Sequence, residues 1–575
     1  MIDNSLIPIP SFILLVGAAL TGVLHRRLRP YSVVAFAACT LILAWTLPND
    51  AACRVGFLDH EIVLFQTDQL SRIFGTIFAF ISVAGGIFGF HVTKGGEHAA
   101  ALCYAAGAVG VTFAGDFISL FAFWELMAVA STYLVWARNT AESSRAGTRY
   151  LLVHLFGGTI LLAGIILVVT ETGSILLSAA GSAQGSGLWL ILGGVALNAA
   201  IPPLHAWLTD AYPKATVAGA VFMSALTTKS AVYVLARLFP GWEILVILGT
   251  IMALYGVVYA VLANDIREIL AYHIISQVGY MVAGIGIGTQ LALNGAVAHA
   301  FSHILYKALL FMGAGVVLFA TGKSKLTELG GLARSMPLTL WLYMIGAFSI
   351  SGFPLFNGFI SKSMVVAAAG ESHLDAVYLL LTLASVGTFL HTGLKLPYFT
   401  WYSSDAGLAP GRVPRTMHGA MAIAAFFCIL FGIAPGLLYD HLPFSTPYEP
   451  YTIPHLTESV QILVLTFVAF WMFRGKLAGE SLLALDTDWF YRRSAEPTKR
   501  YILGTIEAVF DVAERTALLV VHRLVTLSAN PVVLVNKSFS GKAFDPNRAR
   551  PSLGVALGLL LLLVVIVVVL NLLHV

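Results

Sequence analysis

The chain has 575 residues, 58% of them hydrophobic and 11% charged, with a formal net charge of +4. A water-soluble chain carries about 25% charged residues, so this composition excludes an ordinary soluble enzyme and points to a protein dissolved in lipid. The small net charge gives no footprint for a nucleic-acid partner. The four cysteines, Cys39, Cys53, Cys103 and Cys428, contain no C-x-x-C pair, which argues against a zinc or iron–sulfur site. No metal and no cofactor is expected.

Along the chain, apolar stretches of about 20 residues recur, roughly fifteen or sixteen of them, each long enough to span a bilayer. They are apolar on all sides rather than alternating, so they read as helices and not as barrel strands. The first, near Ile7 to Leu24, lacks a basic flank ahead of it and is not a cleavable signal. His25, Arg26, Arg27 and Arg29 follow it. Further basic loops carry Lys94; Arg138, Arg145 and Arg149; Lys214; Arg267; Lys323, Lys325 and Arg334; and Arg412 and Arg415. The loops between them, such as Thr170 to Gly187 and the acidic stretch Asp440 to Glu458, hold little or no positive charge. Arg54 and Arg237 break the alternation. The pattern places the N-terminus outside and the basic loops in the cytoplasm.

The stretch 481–550 is more polar and holds Asp486, Asp488, Trp489, Arg492 and Arg493. Within it Glu507, Asp511, Glu514 and Arg515 share one helical face, as expected of an amphipathic helix on the cytoplasmic surface or of an arm packed on a partner subunit. Residues 551–575 contain a last spanning helix, from about Leu553 to Leu573.

Charged groups inside the apolar stretches carry most of the information. A lysine or carboxylate at a helix centre costs about 2.5–3.5 kcal/mol on insertion scales. Such residues face water or one another and mark ion or proton paths. Glu125 lies in Phe121-Ala-Phe-Trp-Glu-Leu-Met and Lys229 in Ala225-Leu-Thr-Thr-Lys-Ser. His299, His303 and Lys307 are spaced i, i+4, i+8 and therefore line one stripe rising about 12 Å. Lys362 follows Gly352-Phe-Pro-Leu-Phe-Asn-Gly358, where a helix should be interrupted. A second interruption is expected at Ile201-Pro-Pro-Leu-His205. Paired broken segments in two halves of a transporter suggest inverted repeats with the path at their breaks. Buried lysine and histidine exchange protons readily, so a carboxylate–lysine–histidine row suits proton relay. Isolated histidines are ordinarily packing residues, and His154 and His391 are read that way.

These segments carry a resemblance. Phe123-Trp-Glu-Leu-Met127, Pro203-Leu-His-Ala-Trp-Leu-Thr-Asp-Ala-Tyr-Pro213 and Leu226-Thr-Thr-Lys-Ser230 resemble motifs of the antiporter-like subunits. Those subunits are shared by Mrp cation/proton antiporters, complex I and membrane-bound hydrogenases. So do Asn264-Asp-Ile-Arg-Glu-Ile-Leu-Ala-Tyr-His through Tyr280, His299-Ala-Phe-Ser-His-Ile-Leu-Tyr-Lys307 and Ser351-Gly-Phe-Pro through Lys362. The likeness runs in order over about residues 60 to 440. It implies an all-α polytopic membrane protein whose core is two inverted five-helix repeats with broken helices. The implied division is 1–98 for N-terminal helices, 99–263 and 264–400 for the repeats, and 401–480 for C-terminal core helices.

The resemblance also implies roles. Glu125 becomes the gating carboxylate, Lys229 the central relay, His299, His303 and Lys307 the connection, and Lys362 the exit. His205, Asp265 and Arg267 become structural or entrance residues. One position departs: the lysine that pairs with the glutamate is here Asn198, which hydrogen-bonds but holds no charge. Either Lys229 takes over as partner of Glu125, or the first half-channel is inactive.

Three functions follow from the resemblance. The first is a D-like subunit of a Na+ or K+/H+ antiporter in the bacterial inner membrane, assembled with other membrane subunits. The second is a pumping subunit of a redox-driven quinone or hydrogenase complex, which would make it a translocase component. The third, motivated by Asn198, is a non-conducting scaffold. No nucleotide loop or nucleophile triad is present to support a soluble enzyme.

Overall fold

The structure is a computed structural model, which describes residues 9–57, 60–478, 486–487, 489–490, 493, 497–529 and 552–573. The start of the first apolar stretch at Ile7, and Asp488 and Arg492 of the polar segment, lie outside the described residues. The chain forms two units, residues 1–488 and 489–575.

In the first unit α1 (Pro10–Val23), α2 (Arg29–Thr46), α3 (Gln69–Phe88), α4 (Gly95–Phe113), α5 (Phe117–Trp136) and α6 (Ala141–Thr172) follow one another. Then come α7 (Gly187–Asn198), α8 (Ala206–Ala211), α9 (Val217–Ala225), α10 (Thr227–Leu238), α11 (Glu243–Leu262), α12 (Ile266–Ile287) and α13 (Gln290–Thr321). The unit ends with α14 (Pro337–Ser351), α15 (Asn357–Glu371), α16 (Asp375–Thr388), α17 (Arg415–Ile433), α18 (Gly436–Tyr439) and α19 (Ile453–Phe473). Among the described residues, eleven helices or helix pairs are long and apolar enough to cross a bilayer, and four shorter apolar helices accompany them. The protein is a polytopic helical membrane protein.

Polar caps mark where the helices start. Asp68 and Thr140 form capping boxes with Ser71 and Ser143, and Asp116, Thr216, Asp265 and Thr289 cap α5, α9, α12 and α13. Each satisfies amides that lipid cannot. Both expected interruptions are present. α7 stops at Asn198 and the chain resumes as α8 at Ala206, and α14 stops at Ser351 with Gly352 in the left-handed region at φ 76°. A third break, not expected, separates α9 from α10 at Leu226.

One element departs from the all-helical expectation. Residues Ala52–Phe57 (β1) and His60–Gln66 (β2) form an antiparallel hairpin with an irregularity between Cys53 and Arg54. Val55, Ile62 and Val63 suit a ribbon, and the segment lies between spans, where helix formation is not enforced. The hairpin explains one break in the charge alternation, because Arg54 pairs with Glu61 at 3.1 Å. The other, Arg237, donates to Asp68 and to the Tyr233 hydroxyl. Both exceptions are arginines neutralised by a carboxylate.

The centre of the bundle is α12, whose span is buried throughout, flanked by α13 and by α9–α10. α11 presses on α12 through facing glycines. A Cβ at Gly249 would lie 2.3 Å from Ala283 N, and one at Gly279 would lie 2.5 Å from Ala253 N. Small residues permit such close helix approach in membranes. The second unit contains the helix Gly504–Ala529, which carries Glu507, Asp511, Glu514 and Arg515, and the apolar helix Leu553–Leu573.

Candidate functional site

Two of the intramembrane lysines use one device. Leu226, at φ −96° and ψ −68°, divides α9 from α10, so the last carbonyls of α9 lack the amide donors of a continuous helix. Fully buried Lys229 fills that gap: Nζ donates to the Ser224 carbonyl at 2.6 Å and to Thr228 Oγ1 at 3.1 Å. In the second half, the break after α14 frees the Ile350 carbonyl. Lys362 Nζ donates to it at 2.8 Å and to Ser385 Oγ at 3.4 Å, and lies 5.3 Å from the Tyr280 ring centroid. Each broken helix thus supplies a carbonyl that holds an amine in the protein interior.

Between the lysines runs the expected stripe on α13. His299, His303 and Lys307 are all fully buried. His299 Nδ1 is 3.1 Å from Ser361 Oγ, next to Lys362 in sequence, and Nε2 is 3.5 Å from the Tyr306 hydroxyl. Among the described residues, Lys307 Nζ and both ring nitrogens of His303 have no hydrogen-bond partner. Buried polar atoms are ordinarily satisfied by protein or by ordered water.

The first half differs from expectation. Glu125 Oε1 and both side-chain polar atoms of Asn198 are buried without a hydrogen-bond partner among the described residues. Asn198 therefore does not hydrogen-bond Glu125, and Lys229 bonds to Ser224 and Thr228 instead of taking over the pairing. A backbone feature makes room for the carboxylate. A Cβ at Gly158 of α6 would lie 1.8 Å from Glu125 Oε1. A hydroxyl cluster beside the α9–α10 break was not foreseen. Tyr104 OH is 2.6 Å from Thr227 Oγ1, and Tyr150 OH is 2.9 Å from Ser131 Oγ and 3.5 Å from Thr227 Oγ1.

Lys362 also faces a cavity of about 340 Å³, lined by Tyr378, Ser385, Glu449, His455 and Glu458 among others. Glu458 accepts from the Tyr378 hydroxyl at 2.8 Å. Lys229, by contrast, is 0% exposed.

The remaining expected residues serve the scaffold around this row. His205, at the end of the α7 break, is fully buried and contacts both carboxylate oxygens of Asp486 at 3.1 and 3.2 Å. The Tyr272 hydroxyl donates to Asp486 at 2.6 Å, and the Tyr255 hydroxyl donates to it as well. Thr487 Oγ1 donates to the Pro203 carbonyl at 3.2 Å. Asp486 thus latches residues beyond the shared core onto the broken helix. Burial opposes its ionisation, but the His205 ring and the two tyrosine hydroxyls outweigh that and hold its carboxyl well below the usual range. Asp265 caps α12 and accepts from Ser324 Oγ. Arg267, 1% exposed, donates to the carbonyls of Pro213, Ala215 and Thr216 and ties down the loop before α9.

His154 has Nδ1 2.9 Å from the Tyr150 carbonyl and its ring stacked on Tyr150, with Nε2 unpartnered among the described residues. The ring nitrogens of His391, like those of His273, are buried and unpartnered among the described residues, and the two rings lie 5.6 Å apart. Sequence reasoning passed over His273, although it lies seven residues before Tyr280 in a quoted motif.

Comparison with known proteins places this geometry. Residues 114–390 match the family described as "NADH:quinone oxidoreductase/Mrp antiporter, TM", a range that contains Glu125, Asn198, Lys229, the α13 stripe and Lys362. An uncharacterized protein of Methanocaldococcus jannaschii is 30% identical over 363 residues, covering 59% of this chain and 74% of the relative. The chain belongs to the NADH:quinone oxidoreductase/Mrp antiporter membrane family. Within this antiporter family, the D-type subunit of a Na(+)/H(+) antiporter from Alkalihalophilus pseudofirmus is 34% identical over 282 residues, covering 46% of this chain and 57% of that relative. The match thus spans little more than half of the antiporter protein. Two solved chains share the fold. One, from the Mrp complex of Dietzia sp. DQ12-45-1b, has a TM-score of 0.69 at 22% identity, covering 82% of this chain and 99% of that one. The other, from the membrane-bound sulfane sulfur reductase, an archaeal respiratory membrane complex, has 0.69 at 24%, covering 80% and 98%.

Proposed function

We propose that this chain is the proton-translocating subunit of a multi-subunit monovalent cation (Na+ or K+)/proton antiporter in a bacterial plasma membrane, with its basic loops in the cytoplasm. The observation that carries the reading is the pair of buried lysines, each held at the carbonyl of a broken helix and joined by the stripe His299, His303 and Lys307. Glu125 receives the proton, Lys229 takes it through the hydroxyls of Tyr150 and Thr227, the stripe carries it, and Lys362 delivers it to its cavity. A carbonyl accepts from a neutral amine as well as from an ammonium, so neither lysine need leave its place when it changes charge. Buried groups in low dielectric feel each other's charge strongly, which lets one transfer drive the next. Transfer across the membrane is worth about 2.3 kcal/mol per elementary charge per 100 mV.

The name of the Alkalihalophilus relative supports the cation/proton reading, and complexes around the matched solved chains support a partnership with other membrane subunits. We propose two inverted repeats, residues 99–263 and 264–400, with a broken helix in each: α7–α8 in the first and α14–α15 in the second.

A second reading, a pumping subunit of a redox-driven complex, is favoured by the equal likeness to the sulfane sulfur reductase chain. A direct test uses vesicles bearing the assembled complex. An imposed Na+ or K+ gradient drives proton movement under the first reading, and only a reductant and its acceptor drive it under the second. Proton movement that survives both Glu125→Gln and Lys229→Ala in intact complex would make the chain a scaffold.

A further inference from the structure

Two histidines and a lysine in the second half stand outside the row that joins Lys229 to Lys362. His273 lies in α12, two turns from its Asp265 end. His391 and Lys395 lie in a π-helical stretch, Phe389–Lys395, that continues α16. π-turns are rare and recur at functional positions. Here the stretch turns two ionisable groups, four residues apart, into the interior. His273, His391 and Lys395 are at most 1% exposed. Among the described residues, no protein group meets any of the four ring nitrogens of His273 and His391. Gln277, one turn along α12 from His273, donates to Thr388 Oγ1 at 3.3 Å and leaves its Oε1 unpartnered.

The ends of this cluster point in defined directions. Lys307 and Lys362 of the main row, together with His391 and Lys395, are the charged groups near His273. At its other end Lys395 Nζ donates to the Val261 carbonyl at 2.6 Å and the Ala263 carbonyl at 3.5 Å, at the C-terminus of α11. Val261 and Leu262 are exposed, and Asn264 and Asp265 half-buried. This end of α11 lies beside Ser324, past the end of α13, because the Ile266 amide donates to the Ser324 carbonyl at 2.8 Å. The Lys362 cavity opens at the opposite end of α13, where Asn294 donates to the Phe444 carbonyl at 2.6 Å.

We infer that the second half carries its own proton branch, from Lys307 through His273 and His391 to Lys395, opening at the α11–α12 loop on the side opposite the Lys362 cavity. The inference rests on reading the chain as a proton translocator. Each step is a hop in which an N–H bond forms at the acceptor as one breaks at the donor. An imidazole takes a proton on one nitrogen and releases one from the other. The 5.6 Å between ring centroids is spanned by a water or by ring rotation. No co-reactant is needed. The second half then reaches both sides of the membrane, and each transport cycle uses both ends, Lys362 and Lys395, joined at Lys307.

The competing account makes Lys395 a cap on α11 and the histidines filler. Arginine separates the two, because it keeps the charge and the carbonyl bonds but does not release a proton at working pH. Vesicles bearing the assembled complex are compared with Lys395→Arg, His273→Gln and His391→Gln, with Lys229→Ala as control, and assembly is followed by native gel and thermal midpoint. We expect Lys395→Arg and His391→Gln to assemble normally and to lose flux by about 100-fold, the lower range for one positioned proton-transfer group. Wild-type flux in Lys395→Arg and both glutamine variants, with Lys229→Ala inactive, overturns the branch and leaves the translocator reading intact. Wild-type flux in Lys229→Ala as well overturns both. If Lys395→Arg fails to assemble, the flux of His391→Gln decides.

Discussion

Lys229 and Lys362 are held in the same way and placed in different surroundings. Each amine meets a carbonyl freed by a helix break, at 2.6 Å in the first half and 2.8 Å in the second. The first is fully buried, two residues along α10 from Thr227, whose hydroxyl meets those of Tyr104 on α4 and Tyr150 on α6. The second opens on a cavity of about 340 Å³ bordered by Glu449 and Glu458. A helix break therefore positions a lysine, and what surrounds the break decides whether the amine exchanges protons with bulk water or only with its neighbours.

Substitutions that remove only the amine sharpen this comparison most. Lys229→Met and Lys362→Met should each lower proton flux by about 100-fold, the lower range for a positioned proton-transfer group. They should differ in stability. Loss of the donor leaves the Ser224 carbonyl sealed and unsatisfied, at a cost of about 1–3 kcal/mol, whereas the Ile350 carbonyl lies near a cavity where water can replace the amine. Equal thermal shifts for the two variants would break the comparison.

The latch at the α7 break comes next. Asp486→Asn removes a charged acceptor from His205, Tyr255 and Tyr272 and should cost about 1.5–3 kcal/mol, read as a lower thermal midpoint. An unchanged midpoint would mean that Asp486 rests on the bundle without holding it.

Gly158→Ala tests the unpaired half from the other side. Its Cβ would fall 1.8 Å from Glu125 Oε1, the far end of a flexible side chain, so the carboxylate must move, with little loss of stability and reduced flux. Gly193→Ala, on α7 and with its nearest neighbour 3.7 Å away, should be silent by both measures.

The smallest effect is the pH dependence of the latch. The folded carboxyl of Asp486 lies below its unfolded value of about 3.9, so its contribution is complete above that value. It is lost as pH falls through the folded value. The midpoint gap between wild type and Asp486→Asn should therefore narrow only below about pH 4.

Much of this architecture is legible in the chain itself. Proline and glycine announced the breaks at 201–205 and 352–358, and i, i+4, i+8 spacing placed His299, His303 and Lys307 on one stripe. Both signals are local. The break at Leu226 was not legible, because Ser224-Ala-Leu-Thr-Thr228 contains neither proline nor glycine and its interruption is maintained by Lys229. The partner of Glu125 was left open for a similar reason. Whether a carboxylate meets an asparagine two helices away depends on how closely α6 and α7 pack, and that was set by glycines with no polar signature. Asp486 lay in a polar stretch that composition assigned to the surface. Its contacts with His205, Tyr255 and Tyr272 span more than 200 residues of sequence and leave no periodicity to read. His391 looked like any lone histidine until the fold set it against His273.

The central claim is that one continuous row joins the two lysines through α13, and Lys307 is its middle. The direct measurement is cation-driven proton flux in vesicles bearing the assembled complex, wild type against Lys307→Met, with assembly checked on native gels. The account predicts that flux falls to the passive leak while the complex stays intact. Flux at the wild-type rate in intact Lys307→Met complex would contradict it and move the proton route to another chain.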